Sequence, residues 1–98
     1  MSNNVRLSQE EQDAILSILH EADPEGEIYV FGSRADLNKR GGDIDVFFQT
    51  NKKLTLKHRL ILEYRMGSKC NTKVDLLVKN IDEPDQPIHD IARQGVHL

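Results

Sequence analysis

The stretch from Phe31 to Phe48, FGSRADLNKRGGDIDVFF, sets two aspartates, Asp43 and Asp45, into an apolar run that otherwise reads as a β-strand. Aspartate is depleted in strands, and like charges on one strand face repel each other. Burying either one is costly unless positive charge lies close by. Side chains alternate along a strand, so Asp43 and Asp45 share one face while Ile44 and Val46 point to the other. A rise of about 3.3 Å per residue puts the two Cα atoms roughly 6.5–7 Å apart. That spacing lets two carboxylates converge on one cation, or straddle a pair of metal ions about 3.5–4 Å apart, as in phosphoryl transfer. The chain must therefore build a sheet with one apolar face and one face that tolerates clustered charge.

The remaining elements supply that sheet. Ser8 followed by Glu11 makes a capping-box start, and Ala14, Ile15, Ile18 and Leu19 continue at helical spacing until ADPEG (Ala22–Gly26) stops the helix. EIYVF predicts a short buried strand ending at Gly32. Ser33 to Lys39 predicts a short helix, with Asp36 completing Ser-x-x-Asp and Gly41-Gly42 closing it. DIDVFFQT is the second strand. Leu56, Leu60, Ile61 and Tyr64 mark a further helix ending near Gly67, with Tyr64 expected in the core. KVDLLVK (Lys73–Lys79) is a third strand, and Ile88 to Gln94 a closing helix. Helices alternating with strands predict a small α/β (α+β) domain over residues 1–98: a mixed sheet with helices on one face.

The third strand repeats the acid once, at Asp75, between Val74 and Leu76. Alone, Asp75 reads equally well as the solvent side of an amphipathic strand. If its strand neighbours the second, the three acids form one oxygen-rich cluster. Oxygen ligands without thiolate or paired imidazole select a hard cation, Mg2+ before Zn2+. Gly32 and Ser33 stand where the first strand hands over to a helix; glycine permits close backbone approach to a phosphate, and free N–H groups point outward. A lone Gly-Ser turn is more often an ordinary helix cap. Arg34 reads equally as a phosphate contact or as solvated charge, whereas Lys39 and Arg40 read as solvated charge.

Charge is unevenly spread. Residues 1–27 carry one base and seven acids, residues 28–79 eleven bases and five acids, and residues 80–98 one base and four acids. The basic middle, which holds the odd motif, suits a small polyanion, while the formal net charge of −3 argues against bulk DNA or RNA binding. There is no membrane-spanning run and no signal pattern, so the expected compartment is the cytoplasm. Cys70, the one cysteine, fits a reducing compartment and an ordinary half-buried thiol. His20, His58, His89 and His97 lack metal-ligand spacing and are expected at the surface or at helix ends. Tyr29 is expected to pack within its strand.

Gly32-Ser33, a nine-residue spacer and then Asp43-Ile44-Asp45 resembles the signature of the DNA polymerase β-like nucleotidyltransferase superfamily, hydrophobic-Gly-Ser followed by Asp-h-Asp. Asp75 stands where that family's third carboxylate is expected. GSRA and the ending IARQGVHL resemble its short members, the minimal nucleotidyltransferases (MNT), which act as antitoxins in HEPN/MNT toxin–antitoxin pairs. The resemblance implies transfer of AMP from ATP to a tyrosine of a HEPN ribonuclease toxin. It implies two Mg2+ ions held by Asp43, Asp45 and Asp75, and phosphates held at Gly32, Ser33 and Arg34. An antitoxin that keeps the fold and acts by binding alone is the alternative.

Overall fold

The computed structural model describes residues 7–35 and 42–98. Its first helix, α1, spans Gln9–Ala22 and begins as expected: Ser8 Oγ accepts from the Glu11 amide (3.1 Å), and the Ser8 amide donates back to Glu11 Oε1 (2.9 Å). Such a box satisfies two helix-end donors. Ala14, Ile15, Ile18 and Leu19 form its buried stripe. Asp23 ends it, donating its amide to the Leu19 carbonyl, and its buried carboxylate then ties the turn to the far end of the sheet. It accepts from Thr50 Oγ1 (2.5 Å) and from the Asn51 (3.2 Å) and Glu25 (3.1 Å) amides. Thr50's hydroxyl above all holds this carboxyl below the usual carboxylate range, against the opposing effect of burial.

Strand β1 is Glu27–Phe31, β2 is Ile44–Gln49, β3 is Val74–Lys79 and β4 is Val96–His97. They form one mixed sheet in the order β3-β2-β1-β4; β2 and β3 run parallel, and β1 pairs antiparallel with both β2 and β4. Helix α2, Leu56–Cys70, is the crossover that a parallel pair requires. Ile44, Val46 and Phe48 face α1 and α2 and join Ile15, Leu19, Leu62 and Met66 in the main core. Asn80 clips the chain before α2 to the end of β3: its Oδ1 accepts from the Leu54 amide (3.0 Å), and its Nδ2 donates to the Leu54 carbonyl (3.1 Å). Among the described residues no helix is long and apolar enough to cross a membrane.

The fold class is as expected, and several details differ. Helix α3, Pro87–Arg93, lies on the opposite face of the sheet from α1 and α2. There its His89 ring stacks on fully buried Phe47 (centroids 5.4 Å apart), and Arg93 Nε donates to Gln49 Oε1 (2.9 Å). His89, at the helix start, is therefore buried rather than a surface residue; Tyr29 packs in its strand as expected, stacked between Phe47 and His97. The two-residue β4 was not foreseen. Gly95 lets it approach β1, since a Cβ there would collide with the Val30 carbonyl. Helix α2 runs past Gly67 to Cys70 and is closed by Asn71 in the left-handed region (φ 53°). Its inward residues are Leu62 and Met66, while Leu56, Leu60, Ile61 and Tyr64 are exposed. Residues two apart on a helix lie about 200° apart around it, so the 60/64 and 62/66 pairs cannot both face the core.

Candidate active site

The second face of the sheet carries α3 over its Phe47 and Gln49 half; the other half carries the acids. In the parallel ladder Asp45 sits directly opposite Asp75, and in the antiparallel ladder it sits opposite Phe31. The neighbouring strands thus bring together what the sequence spaces thirty residues apart. Asp45 is half-buried, and burial first, then the negative charges of Asp75 and Asp43, hold its carboxyl above the usual carboxylate range. The Asp43 and Asp75 side chains are 48 and 47% exposed.

Lys73 was not anticipated as part of this site. Its Nζ lies 3.9 Å from Asp43 Oδ2 and 3.7 Å from Asp75 Oδ1, so one exposed ammonium bridges two of the three acids. Exposed pairs of this kind contribute about 0–1 kcal/mol each, enough to orient but not to lock. The sequence signal was its position two residues before Asp75, on the same strand face.

Gly32 follows Phe31 with φ +72°, a conformation that costs other residues energy, and it opens a single 3-10 turn over Gly32–Ala35. A Cβ at Gly32 would collide with Asp45 Oδ2 and fall 3.2 Å from its Cγ. The glycine therefore lets the phosphate-turn candidate lie directly against the acid cluster. The rest of the helix expected over Ser33–Lys39, with Asp36, Lys39, Arg40 and Gly41, lies outside the described residues. Arg34 turns toward α1 and the loop before β2: Nη1 donates to Glu11 Oε1 and Nη2 to the Gly42 carbonyl, both at 3.4 Å. It braces the turn against the capping box of α1. Cys70 is half-buried, as expected, and burial raises its thiol pKa, which keeps it protonated and weakly nucleophilic.

Among the described residues no three His, Cys, Asp or Glu side chains are already drawn into a metal cage. The donor set still fits a hard divalent ion: it is oxygen-only, and among the described residues the cation paired with these acids is one exposed lysine.

A small mixed sheet with a glycine turn packed on an Asp-x-Asp strand and a third acid on the adjacent strand is a nucleotidyltransferase arrangement. Residues 13–98 match the family described as Polymerase beta, Nucleotidyltransferase, and the chain belongs to that family. No curated protein sequence matches it. Among solved structures, it is similar to a chain of a mutant toxin–antitoxin complex, MntA–HpeT, at 21% identity and TM-score 0.73, over 89% of this chain and 70% of that one. It is also similar to a chain in the tri-AMPylated Shewanella oneidensis HEPN toxin in complex with MNT antitoxin (21% identity, TM-score 0.69, 92% and 69% of the two chains). A third similarity is to MntA–HepT (20%, TM-score 0.68, 91% and 68%).

Proposed function

We propose that this chain is the antitoxin of a HEPN/MNT pair and transfers AMP from ATP to a tyrosine hydroxyl of its HEPN toxin. The observation that carries the reading is the Asp45–Asp75 register beside Gly32, which sets two of the candidate carboxylates against the glycine turn. The likeness to a complex whose toxin is tri-AMPylated supports the acceptor class.

In this reading Asp43, Asp45 and Asp75 would hold two Mg2+ ions, which would supply charge neutralisation for the triphosphate and acidity to the acceptor hydroxyl. The hydroxyl oxygen bonds to the α-phosphorus of ATP, the bond to pyrophosphate breaks, and Asp75 accepts the hydroxyl proton. Gly32 and Ser33 hold phosphate oxygens through backbone N–H groups. Arg34 would meet phosphate oxygens beside them, and its guanidinium also reaches Glu11 and the Gly42 carbonyl. Lys73 must give up its bridge, which weak exposed pairs allow.

A binding-only antitoxin is the second reading. The bridging Lys73 favours it, because an ammonium already offsets part of the charge that metal ions would offset. The test is the mass of the HEPN protein encoded beside this chain after co-expression. A gain of one or more AMP units with the intact chain, absent with Asp75→Asn, is expected. A neutralised toxin of unchanged mass with both versions would establish the second reading.

A further inference from the structure

Helix α2 turns an apolar ridge outward. Leu56, Leu60, Ile61 and Tyr64 are 71, 56, 46 and 77% exposed, at the i, i+4, i+5 and i+8 spacing of one helix face. Scattered exposed apolar residues are ordinary; four in one row form a patch. Two of the hollows along the ridge are lined by Leu60. One, about 510 Å³, lies between α2 and the β3 side of the molecule and is lined by Leu60, Glu63, Tyr64, Thr72, Lys73 and Val74. The other, about 410 Å³, lies over Leu56, Lys57, Leu60, Ile61 and Tyr64.

We infer that this ridge and its groove are the docking surface for the protein that receives the nucleotide, and that they take an amphipathic helix with acidic flanks. The inference rests on the transferase reading above and names where its partner binds. Continuity with the site is the first support. Lys73, in the groove wall, is also the residue whose Nζ bridges Asp43 and Asp75, so a protein seated in the groove ends beside the carboxylates.

Charge is the second support. Lys57, Arg65, Lys69 and Lys73 line the hollows around Tyr64, with Arg65 paired to Glu21 at 3.0 Å and Lys73 to Asp43 and Asp75. Glu63, the acid lining the first hollow, commits its carboxylate to the Leu76 amide (2.7 Å) and so also covers a backbone donor of edge strand β3, which leaves the lining with more bases than acids. A basic rim around an apolar strip selects an acidic-rimmed apolar partner. It disfavours a second copy of this chain, because a two-fold contact through α2 would set the basic rim against itself. The spacing of the ridge and the concave groove suit a helix laid lengthwise.

The experiment titrates the HEPN protein encoded beside this chain with the intact chain, Leu60→Glu, Tyr64→Glu and Asp75→Asn, and follows AMP transfer in parallel. All three positions are exposed or half-open, and Leu60→Ala and Tyr64→Ala serve if a glutamate variant fails to melt cooperatively. We expect the α2 variants to bind on the order of thirtyfold more weakly and to lose transfer in proportion at limiting partner. Asp75→Asn should bind normally and transfer nothing. Binding by the α2 variants equal to the intact chain's would overturn the docking surface and leave the transferase reading standing. An intact chain that neither binds nor modifies the HEPN protein would overturn both. A dimer of the intact chain dispersed by Tyr64→Glu, or binding to phosphatidylglycerol vesicles lost in Tyr64→Glu, would assign the ridge another occupant and overturn the inference.

Discussion

Replacing Gly32 with alanine tests whether the phosphate turn and the acid cluster form one unit. Two costs follow from the structure. Alanine at φ +72° pays the left-handed penalty of about 1–2 kcal/mol. Its Cβ also collides with Asp45 Oδ2, and turning that carboxylate aside into a poorer rotamer costs about 0.5–1.5 kcal/mol. Together they amount to roughly 2–3 kcal/mol, which lowers the melting temperature by roughly 10–20 °C for a domain of this size. The two parts can be separated by repeating Gly32→Ala in an Asp45→Ala background. Asp45 Cβ lies 3.6 Å from the new methyl, an ordinary contact, so only the backbone penalty remains there. Thermal and urea unfolding of the four proteins should give a coupling of about 1 kcal/mol. The single Gly32→Ala variant should also lose at least about tenfold in transfer, because displacing a catalytic group by about 1 Å can cost more than that. Zero coupling with undiminished transfer would refute the claim that Gly32 is glycine because of Asp45.

Asp45→Asn should abolish transfer and stabilise the metal-free protein at pH 7 by about 1 kcal/mol, the repulsion of unit charges roughly 5 Å apart in near-aqueous surroundings. Because folding raises the Asp45 pKa, its destabilising effect is complete above the folded value and vanishes as pH falls to the unfolded value of about 3.9. The gap between variant and intact protein in urea midpoint should therefore close between neutral pH and about pH 4. Asp23 has the opposite sign: folding lowers its pKa, so its stabilisation holds above about 3.9 and is lost as pH falls through the folded value. Asp23→Ala should cost about 1–3 kcal/mol at pH 7, read by urea unfolding, through loss of the buried Thr50 and Asn51 hydrogen bonds. EDTA should stop transfer, with Mg2+ or Mn2+ restoring it and Zn2+ doing so poorly; a reaction indifferent to EDTA would contradict an all-carboxylate metal site.

Local chemistry that competes with nothing was legible in the sequence. The Ser8–Glu11 box, the EIYVF strand with its bounds, and the shared face of Asp43 and Asp45 each depend on a few adjacent residues. The Asp45–Asp75 register needed tertiary information, since sequence could state only what would follow if the two strands were neighbours. Helix α2 was misread because it carries two apolar sets on opposite sides. The Leu56/Leu60/Tyr64 row is the more conspicuous, yet Leu62 and Met66 are the pair that packs, with Glu63 reaching the Leu76 amide and Arg59 reaching Glu83 at 2.8 Å. Strand β4 escaped notice because two residues carry no periodicity. Arg34 reads equally as a phosphate contact or as solvated charge, and sequence does not reveal that Glu11, twenty-three residues away, lies beside it.

The central claim is that the Asp43, Asp45 and Asp75 cluster moves a nucleotidyl group rather than merely filling a fold. Parallel incubations of the chain and its proposed HEPN partner with ATP labelled on the α-phosphate or on the γ-phosphate test it most directly. Nucleotidyl transfer retains the α-phosphate and releases the γ-phosphate with pyrophosphate. The partner should therefore become labelled only from α-labelled ATP, in a divalent-ion-dependent reaction, and not at all with Asp75→Asn. Label arriving from the γ-phosphate, or a toxin neutralised by the intact chain without label from either ATP, would contradict the account.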